Sequence, residues 1–262
     1  MAIDPKNPYA APTAPVADIS QAAEAGQLVE GGRAVPSGNG WTWIVDGFDL
    51  FKLNPGIWIL NLVILLGIMI VLSVIPLAGS VVLNLLYPVF SAGLMLGCRA
   101  LMRNEPLEIA HLFAGFKEKT SELVMVGLLY LVGFFAIGFV VALMVGFSAL
   151  SAMFSSRGMG SFNPATLLLG ILVMAALMIP LLMAIWFAPA LVVFHDLKPI
   201  DAMRQSFQGC LKNVVPFLVY GIIGLVLGIL AFIPLGLGWL VWGPTVVGSI
   251  YASYRDIFLE SA

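Results

Sequence analysis

A histidine and an aspartate stand next to each other at His195-Asp196, and together they could bind a metal or move a proton. A metal site needs three or four ligands, and the only other histidine is His111. Nucleophilic catalysis needs a nucleophile, a base and an orienting group, and no such set stands out. The sequence therefore predicts no catalytic residue, no cofactor and no metal. It favours a hydrogen-bonded boundary pair at His195 and Asp196.

The apolar stretches contain polar residues but no ionisable group near their centres, where one would indicate an ion or proton pathway. Asn84 lies four residues before Pro88. A proline in a helix leaves one carbonyl without its backbone donor, and a nearby amide could satisfy that carbonyl. For Asn84 we therefore favour a structural role over contact with a ligand.

Three prolines fall within long apolar stretches, at Pro88, Pro189 and Pro244. Because lipid cannot satisfy the carbonyl that each proline frees, these helices are expected to line the interior of a bundle. The possible interior-lining residues are Asn84, Pro88, Pro189, Pro244, Thr245 and Ser249. Arg99 and Arg255 follow Pro88 and Pro244 at the same interval, and with His195 and Asp196 they mark the predicted cytoplasmic boundary.

The composition is that of a membrane protein. Of 262 residues, 61% are hydrophobic and 10% are charged, with a mean hydropathy of +1.04, whereas soluble domains are nearer half apolar and a quarter charged. Charge is absent from Leu53 to Cys98, Leu123 to Ser156, Gly158 to Phe194 and Asn213 to Tyr254. A span needs roughly 20 apolar residues, so the first and last stretches are long enough for two spans each. The net charge of −2 gives no reason to expect nucleic acid as a partner.

The pattern predicts an all-α polytopic bundle with six transmembrane helices. They cover about 57–75, 80–101, 123–150, 165–194, 214–233 and 237–254, and the fourth is one helix kinked by Pro180 and Pro189. With six spans, only Arg157 of the twelve basic residues lies on the side opposite the termini. The positive-inside rule then places both termini in the cytoplasm. Cys98 and Cys210 are expected to be free thiols there.

Residues 1–40 contain few large apolar side chains and several prolines and glycines. Such a segment cannot bury enough surface to offset the entropy lost on ordering, so we expect a disordered cytoplasmic tail. Residues 41–262 then form the membrane domain.

One short pattern occurs three times: a small residue, a phenylalanine and, six residues after the phenylalanine, a polar residue. The copies are Gly47-Phe48 with Asn54, Gly115-Phe116 with Glu122, and Ser206-Phe207 with Asn213. Apolar residues recur around each copy at helical spacing, which predicts an amphipathic interfacial helix whose phenylalanine faces the membrane or the bundle. Each helix precedes a predicted hairpin, so the domain divides into repeats at about 41–105, 106–198 and 199–262.

Several stretches resemble a family of proteobacterial multi-pass inner-membrane proteins described only as hypothetical transmembrane proteins. They are the Asn7 to Pro12 tail, Gly40-Trp41-x-Trp43, Phe51-Lys52-x-Asn54-Pro55 and His111 to Phe116. The chain is more distantly similar to the membrane domain beside some glycerophosphodiester phosphodiesterases, whose catalytic carboxylates and histidines have no counterpart here. The resemblance implies a bacterial inner membrane and no catalytic residues.

The leading hypothesis for function is a non-catalytic protein that organises lipid or supports partner proteins. Its partners would be the lipid bilayer and a second copy or another membrane protein. The alternative is a facilitative permease for a neutral or hydrophobic small molecule, suggested by the repeat and the proline-bearing spans. An enzyme is the third hypothesis.

Overall fold

The computed structural model describes residues 27–76, 78–154 and 164–260. Helices dominate these ranges, and the only pairing of β type within them is a single bridge between Leu28 and Leu259. In chain order the helices are α1 (Asn39–Leu53), α2 (Pro55–Ser73), α3 (Ala78–Met102), a 3₁₀ helix (Ile109–Phe116), α4 (Thr120–Phe154), α5 (Pro164–Trp186), α6 (Ala188–His195), α7 (Pro199–Lys212), α8 (Val214–Leu230) and α9 (Trp239–Phe258).

Four helical stretches are long and apolar enough to cross a membrane. They are α2, α3, residues Thr120–Phe147 of α4, and the broken helix Ala165–His195 formed by α5 and α6. The pair α7 and α8, bent by 83°, raises the number to five if the pair is one span. The all-α membrane fold is therefore confirmed with four or five candidate spans. Six spans and three hairpins stay predictions.

The last helix, α9, is not among these candidate spans. It carries Arg255 and Asp256 near its end and the polar residues Thr245, Ser249 and Ser253 along its length. These side chains lower its apolarity, although its 20 residues are enough to cross a bilayer.

Local sequence explains where several helices begin. The side chain of Asn54 accepts a hydrogen bond from the backbone nitrogen of Ile57 at 3.4 Å, and Pro55 occupies the first position of α2. Asparagine is a favoured N-cap, and proline is favoured at the first helical position because that position has no backbone bond to lose. Pro199 likewise occupies the first position of α7, although its N-cap residue Lys198 makes no side-chain hydrogen bond there.

The interior of the bundle is made by α3, α6 and α9. In its most apolar stretch α3 is 56% buried, against 11% for α2, 6% for α4 and 11% for the α5–α6 helix. Every residue of α6 from Ala188 to Phe194 is buried. The outer helices instead present apolar side chains on the surface, as expected where the neighbour is lipid.

Kinks were predicted in the fourth helix at Pro180 and Pro189, and the structure shows a break next to the second of them. Pro180 lies inside α5, and the chain breaks at Phe187, directly before α6 and Pro189. The Ser206 hydroxyl lies in this break: it donates to the Met183 carbonyl at 2.7 Å and accepts from the Phe187 nitrogen at 2.9 Å. It thus replaces the direct backbone bond between these two residues, a known cause of helix kinks.

The predicted disordered tail needs a correction at its C-terminal part. Residues 27–38 are held in place, whereas residues 1–26 lie outside the described part of the chain. The Val29 nitrogen donates to the Phe258 carbonyl at 2.8 Å, and the Arg33 nitrogen donates to the Ile257 carbonyl at 2.9 Å. Gly31 and Gly32 turn the chain with φ of 67° and 68°, which suits glycine. Backbone hydrogen bonds hold this segment, so its low apolar content did not prevent ordering.

Asn213 completes this attachment. Its side-chain oxygen accepts from the Val35 nitrogen at 2.8 Å, and its side-chain nitrogen donates to the Arg33 carbonyl at 2.8 Å. The same nitrogen donates to the Gly209 carbonyl at 2.8 Å. Asn213 is fully buried, so one amide in the third sequence copy fixes the segment before α1.

Candidate functional site

A cavity of about 860 Å³ lies at one end of the bundle. Its walls come from α1, the C-terminal ends of α3 and α9, Phe194 of α6 and the segment around Arg33. The residues that give it charge are Arg33, Asp46, Asp49, Arg99, Arg103, Arg255, Asp256 and Glu260. Small-molecule sites typically enclose about 300–1,000 Å³, so the cavity is large enough for a ligand.

The cavity combines arginines with aromatic rings. Arg99, at the last turn of α3, is half-buried, and its guanidinium lies 4.9 Å from the centre of the Phe194 ring. Tyr251 and Tyr254 of α9 stand beside this ring, with centroid distances of 6.0 Å and 5.3 Å from it. A guanidinium over a ring face is stabilised by the ring's charge distribution, so the ring holds Arg99 in a fixed position.

The carboxylates of the cavity differ in their surroundings. Asp256 lies 3.6 Å from the Arg33 guanidinium and accepts from the side chain of Asn39 at 2.7 Å and from Trp43 Nε1 at 2.9 Å. Asp49 pairs with Lys52 at 2.6 Å. Asp256 and Asp49 therefore already have close cationic or hydrogen-bonding partners.

Asp46 differs from Asp49 and Asp256 in the groups that surround its carboxyl. Burial raises the pKa of the Asp46 carboxyl, the charges of Asp49 and Asp256 raise it further, and only Arg255 opposes them. The surroundings of Asp46 thus favour its protonated form more than water does.

The predicted pair His195-Asp196 splits into two separate contacts. His195 Nε2 lies 2.6 Å from the Tyr254 hydroxyl and joins α6 to α9. Asp196 points the other way and pairs with Lys119 at 2.9 Å, and this hydrogen bond raises the pKa of Lys119. Each residue thus connects its loop to a neighbouring element, and the two do not share a ligand.

The possible interior-lining residues are placed as follows. Pro88, Pro189 and Pro244 are buried in α3, α6 and α9. Thr245 donates to the Val241 carbonyl at 2.8 Å. Ser249 donates to the Val246 carbonyl at 2.8 Å and lies 2.8 Å from the Tyr220 hydroxyl.

Asn84 does not play the role expected of its side chain. Its amide donates to the Ser80 carbonyl at 2.8 Å, one turn earlier. The carbonyl freed by Pro88 belongs to Asn84 itself, and it faces Gly127 of α4, where an added Cβ would lie 2.9 Å away. The Asn84 side chain was expected to satisfy the freed carbonyl. Instead, Gly127 lets the backbone of α4 pack closely against this carbonyl.

The small residues of the three sequence copies make related contacts. Gly47 of α1 packs on the backbone of Thr245 and Ser249 in α9. Gly115 of the 3₁₀ helix packs on the Val89 carbonyl in α3. Ser206 of α7 fills the break before α6. Each short helix therefore contacts an inner helix through its small residue: α1 contacts α9, the 3₁₀ helix contacts α3, and α7 contacts the residue just before α6.

The phenylalanines of the three sequence copies are more exposed than the small residues that precede them. Phe48 is 42% exposed and Phe116 is 38% exposed, whereas Phe207 is half-buried. Phe116 still contacts the Phe90 ring at 5.3 Å.

Sequence reasoning found Arg99 and Arg255, which share the cavity, but missed Arg33, Arg103 and Asp46. Arg103 lies one helical turn after Arg99, and that spacing was a usable signal. The other two could not be found, because Arg33 was assigned to the tail and Asp46 to the surface of an interfacial helix.

Comparison with known proteins gives one informative match. No protein-family profile and no solved structure matches the chain. A protein of Burkholderia thailandensis named as a probable inner membrane protein is 31% identical over 257 aligned residues. The alignment covers 88% of this chain and 94% of that relative. The similarity to the phosphodiesterase-associated domain stays a prediction. The chain belongs to the family of this probable inner membrane protein.

Proposed function

We propose that the protein is a non-catalytic inner-membrane protein that organises lipid or supports a membrane partner at one face of the bilayer. The observation that carries the proposal is the set of three short helices, α1, the 3₁₀ helix and α7, which expose apolar side chains. Leu53 is 61% exposed at the end of α1, and Ile200 and Leu211 of α7 are 69% and 56% exposed. Interfacial helices hold lipid by burying such side chains at the headgroup boundary.

The proposal includes six spans with both termini in the cytoplasm. It adds α8 and α9 to the four candidate spans and keeps the division into three repeats. Support comes from the element order, since each short helix precedes two longer ones, and from the related contacts of Gly47, Gly115 and Ser206. The distribution of Lys and Arg supports the orientation.

Cysteine labelling tests this topology. In a variant with Cys98 and Cys210 replaced, a cysteine at Lys119 should react with a membrane-impermeant maleimide only after the inner face is opened. A cysteine at Ser155 should react in intact spheroplasts. Labelling of position 119 from outside would overturn the six-span arrangement.

Lipid retention tests the function itself. The protein would be extracted from its native membrane with a nanodisc-forming polymer, and its lipids and proteins identified by mass spectrometry. We expect a lipid composition different from the bulk membrane or a constant protein partner. A control variant with Leu53, Ile200 and Leu211 changed to Ser should lose that difference, because its short helices no longer enter the interface. A lipid composition equal to the bulk and no partner would contradict the proposal.

The permease remains a second candidate because of two observations, the cavity and the break between α5 and α6. It is disfavoured by the packed interior, where Trp43, Trp58 and Val89 are at most 1% exposed. Liposomes containing the protein should show no faster osmotic swelling in glycerol or urea than empty ones. Swelling that depends on the protein would favour the permease.

A further inference from the structure

Three tyrosines from three different helices lie together in the apolar part of the bundle, and none of them lines the end cavity. They are Tyr87 of α3, Tyr130 of α4 and Tyr220 of α8. The phenol of Tyr87 interacts electrostatically with the phenols of Tyr130 and Tyr220, so the three side chains are near one another. These three residues form the tyrosine cluster.

Tyr87 lies inside the membrane and faces outward from the bundle. It stands nine residues after Ala78, the first residue of α3, which is about 13 Å along the helix at roughly 1.5 Å per residue. Tyr87 is 55% exposed, whereas Pro88 and Val89, which follow it, are buried. Its hydroxyl therefore reaches the hydrocarbon region of the bilayer, where no water is available and an unpaired polar group is costly.

The tyrosine cluster and its neighbour Trp186 hold hydrogen-bond donors that the described part of the chain does not satisfy. No described residue accepts a hydrogen bond from the hydroxyl of Tyr87 or Tyr130. The Trp186 ring lies 6.5 Å from the Tyr220 ring, and its Nε1 is buried and has no partner within the described ranges. The Tyr220 hydroxyl differs, because it lies 2.8 Å from the Ser249 hydroxyl, which itself donates to a backbone carbonyl and so accepts from Tyr220. Acceptors, rather than donors, are therefore missing around the cluster.

The missing acceptor must suit an apolar and uncharged setting. A tyrosine hydroxyl is neutral near pH 7, so the cluster does not attract an ion. Apolar rings lie beside it, with Phe134 at 6.5 Å from the Tyr130 ring and Phe217 at 6.4 Å from the Tyr220 ring. A carbonyl oxygen on an otherwise apolar molecule supplies an acceptor without bringing a charge into the membrane, which would be costly.

We propose that the tyrosine cluster binds the carbonyl oxygen of a neutral molecule dissolved in the bilayer, with the hydroxyls of Tyr87 and Tyr130 donating to it. The molecule is either a glyceride, through a fatty-acyl ester, or an isoprenoid quinone, through a ring carbonyl. Either one reaches the cluster sideways from the membrane, because Tyr87 faces lipid. The glyceride source rests on the proposed lipid-organising function, whereas the quinone source goes beyond it.

The test uses the full-length protein in dodecyl maltoside, a detergent without a carbonyl group. Native mass spectrometry measures the binding of dioleoylglycerol, of decylubiquinone and of the dioleyl ether of glycerol, which matches dioleoylglycerol but lacks its carbonyls. Tyr87→Phe and Tyr130→Phe each remove a hydroxyl that makes no hydrogen bond to a described residue, so both variants should fold. Ser73→Ala is the matched control, because it removes an exposed hydroxyl from α2 that bonds only to the Ile70 carbonyl.

We expect Tyr87→Phe and Tyr130→Phe each to weaken binding of a carbonyl probe by about two- to tenfold, the effect of losing one neutral hydrogen bond. The two substitutions together should weaken binding by more than either alone, and Ser73→Ala should leave it unchanged. These comparisons separate binding through the hydroxyls from general adhesion of an apolar molecule to the bundle.

The probes separate the two sources. Binding of dioleoylglycerol that depends on the hydroxyls and exceeds binding of the ether supports the glyceride source, and hydroxyl-dependent binding of decylubiquinone supports the quinone source. Hydroxyl-dependent binding of both supports recognition of the carbonyl itself. If neither carbonyl probe binds, if the ether binds as tightly as the ester while decylubiquinone does not bind, or if the tyrosine variants bind as well as Ser73→Ala, the carbonyl site is refuted. The lipid-retention experiment still tests the proposed function independently.

Discussion

The hydroxyl of Ser206 lies 2.9 Å from the backbone nitrogen of Phe187, and this bond joins α7 to the break between α5 and α6. The same hydroxyl donates to the Met183 carbonyl at 2.7 Å, which also accepts a long hydrogen bond from the Cys210 thiol at 3.6 Å. Phe187 and Ser206 are both fully buried, so water cannot take over either bond.

Ser206→Ala is therefore expected to destabilise the protein by about 1–3 kcal/mol, since it leaves the buried Phe187 nitrogen unsatisfied and leaves the Met183 carbonyl with only the weak Cys210 thiol as a donor. The measurement is unfolding in a mixed-micelle titration, followed by tryptophan fluorescence. Ser73→Ala is the control, because Ser73 makes only a local bond to the Ile70 carbonyl at an exposed position. Equal stabilities of the two variants would show that the break does not need the hydroxyl.

Gly47→Ala should be destabilising by about 1–3 kcal/mol, because its added methyl meets the backbone of α9 and forces the two helices apart. Gly67→Ala is the matched control in the neighbouring helix α2, since none of the described residues outside its own turn lies within 4 Å of the added methyl. Alanine there should be neutral or slightly stabilising. Thermal unfolding monitored by size-exclusion chromatography would compare them, and a stable Gly47→Ala protein would argue against close packing of α1 on α9.

Asn61→Leu should leave stability unchanged or raise it. Asn61 is 1% exposed, and among the described residues neither its amide nitrogen nor its oxygen has a hydrogen-bond partner. A buried polar group without a partner costs about 1–3 kcal/mol, and leucine of similar size avoids that cost. Thermal unfolding is again the measurement. Clear destabilisation would indicate that a bound water or lipid group satisfies the amide.

Asn213→Ala should release residues 27–38, because the amide holds the backbone of Arg33 and Val35. Hydrogen exchange followed by mass spectrometry should then show faster exchange at Val35, while the centre of α3 stays protected. Asn84→Ala is the control, since that amide bonds only within its own helix. Unchanged exchange at Val35 would mean that the backbone bonds to Ile257 and Phe258 suffice.

Sequence patterns indicated most of the helices, because they are charge-free or amphipathic stretches, and three of them begin at a proline, namely Pro55, Pro164 and Pro199. Pro76 and Pro234 mark turns between helices as expected. Pro180 and Pro189 both predicted a kink in the fourth helix, and the sequence could not show that the helix breaks only next to Pro189, because that break involves a serine from another helix. The docking of residues 27–38 was missed for a similar reason, since Asn213 lies 178 residues away from Val35.

The residues that line the cavity could also be predicted only in part from the sequence. Arg99 and Arg255 could be paired by their equal distance from a proline, but Arg33 and Asp46 reach the cavity only through tertiary packing. Asp46 is exposed, as a charged residue on an interfacial helix usually is, and the sequence does not reveal that it lines a cavity together with residues of α9.

Because α1 packs on α9, the contact between these two helices can form only after nearly the whole chain has been synthesised. Trp43 and Asp256 are hydrogen-bonded across 213 residues of chain. At about 5–20 residues per second, a ribosome needs roughly 10–40 s to make the intervening chain. During that time α1 can pack on the earlier helix α8, where Trp43 contacts Phe217 and Tyr220, but it lacks its contact with α9. Because α9 supplies part of its lining, the cavity cannot be complete before this last helix has been synthesised.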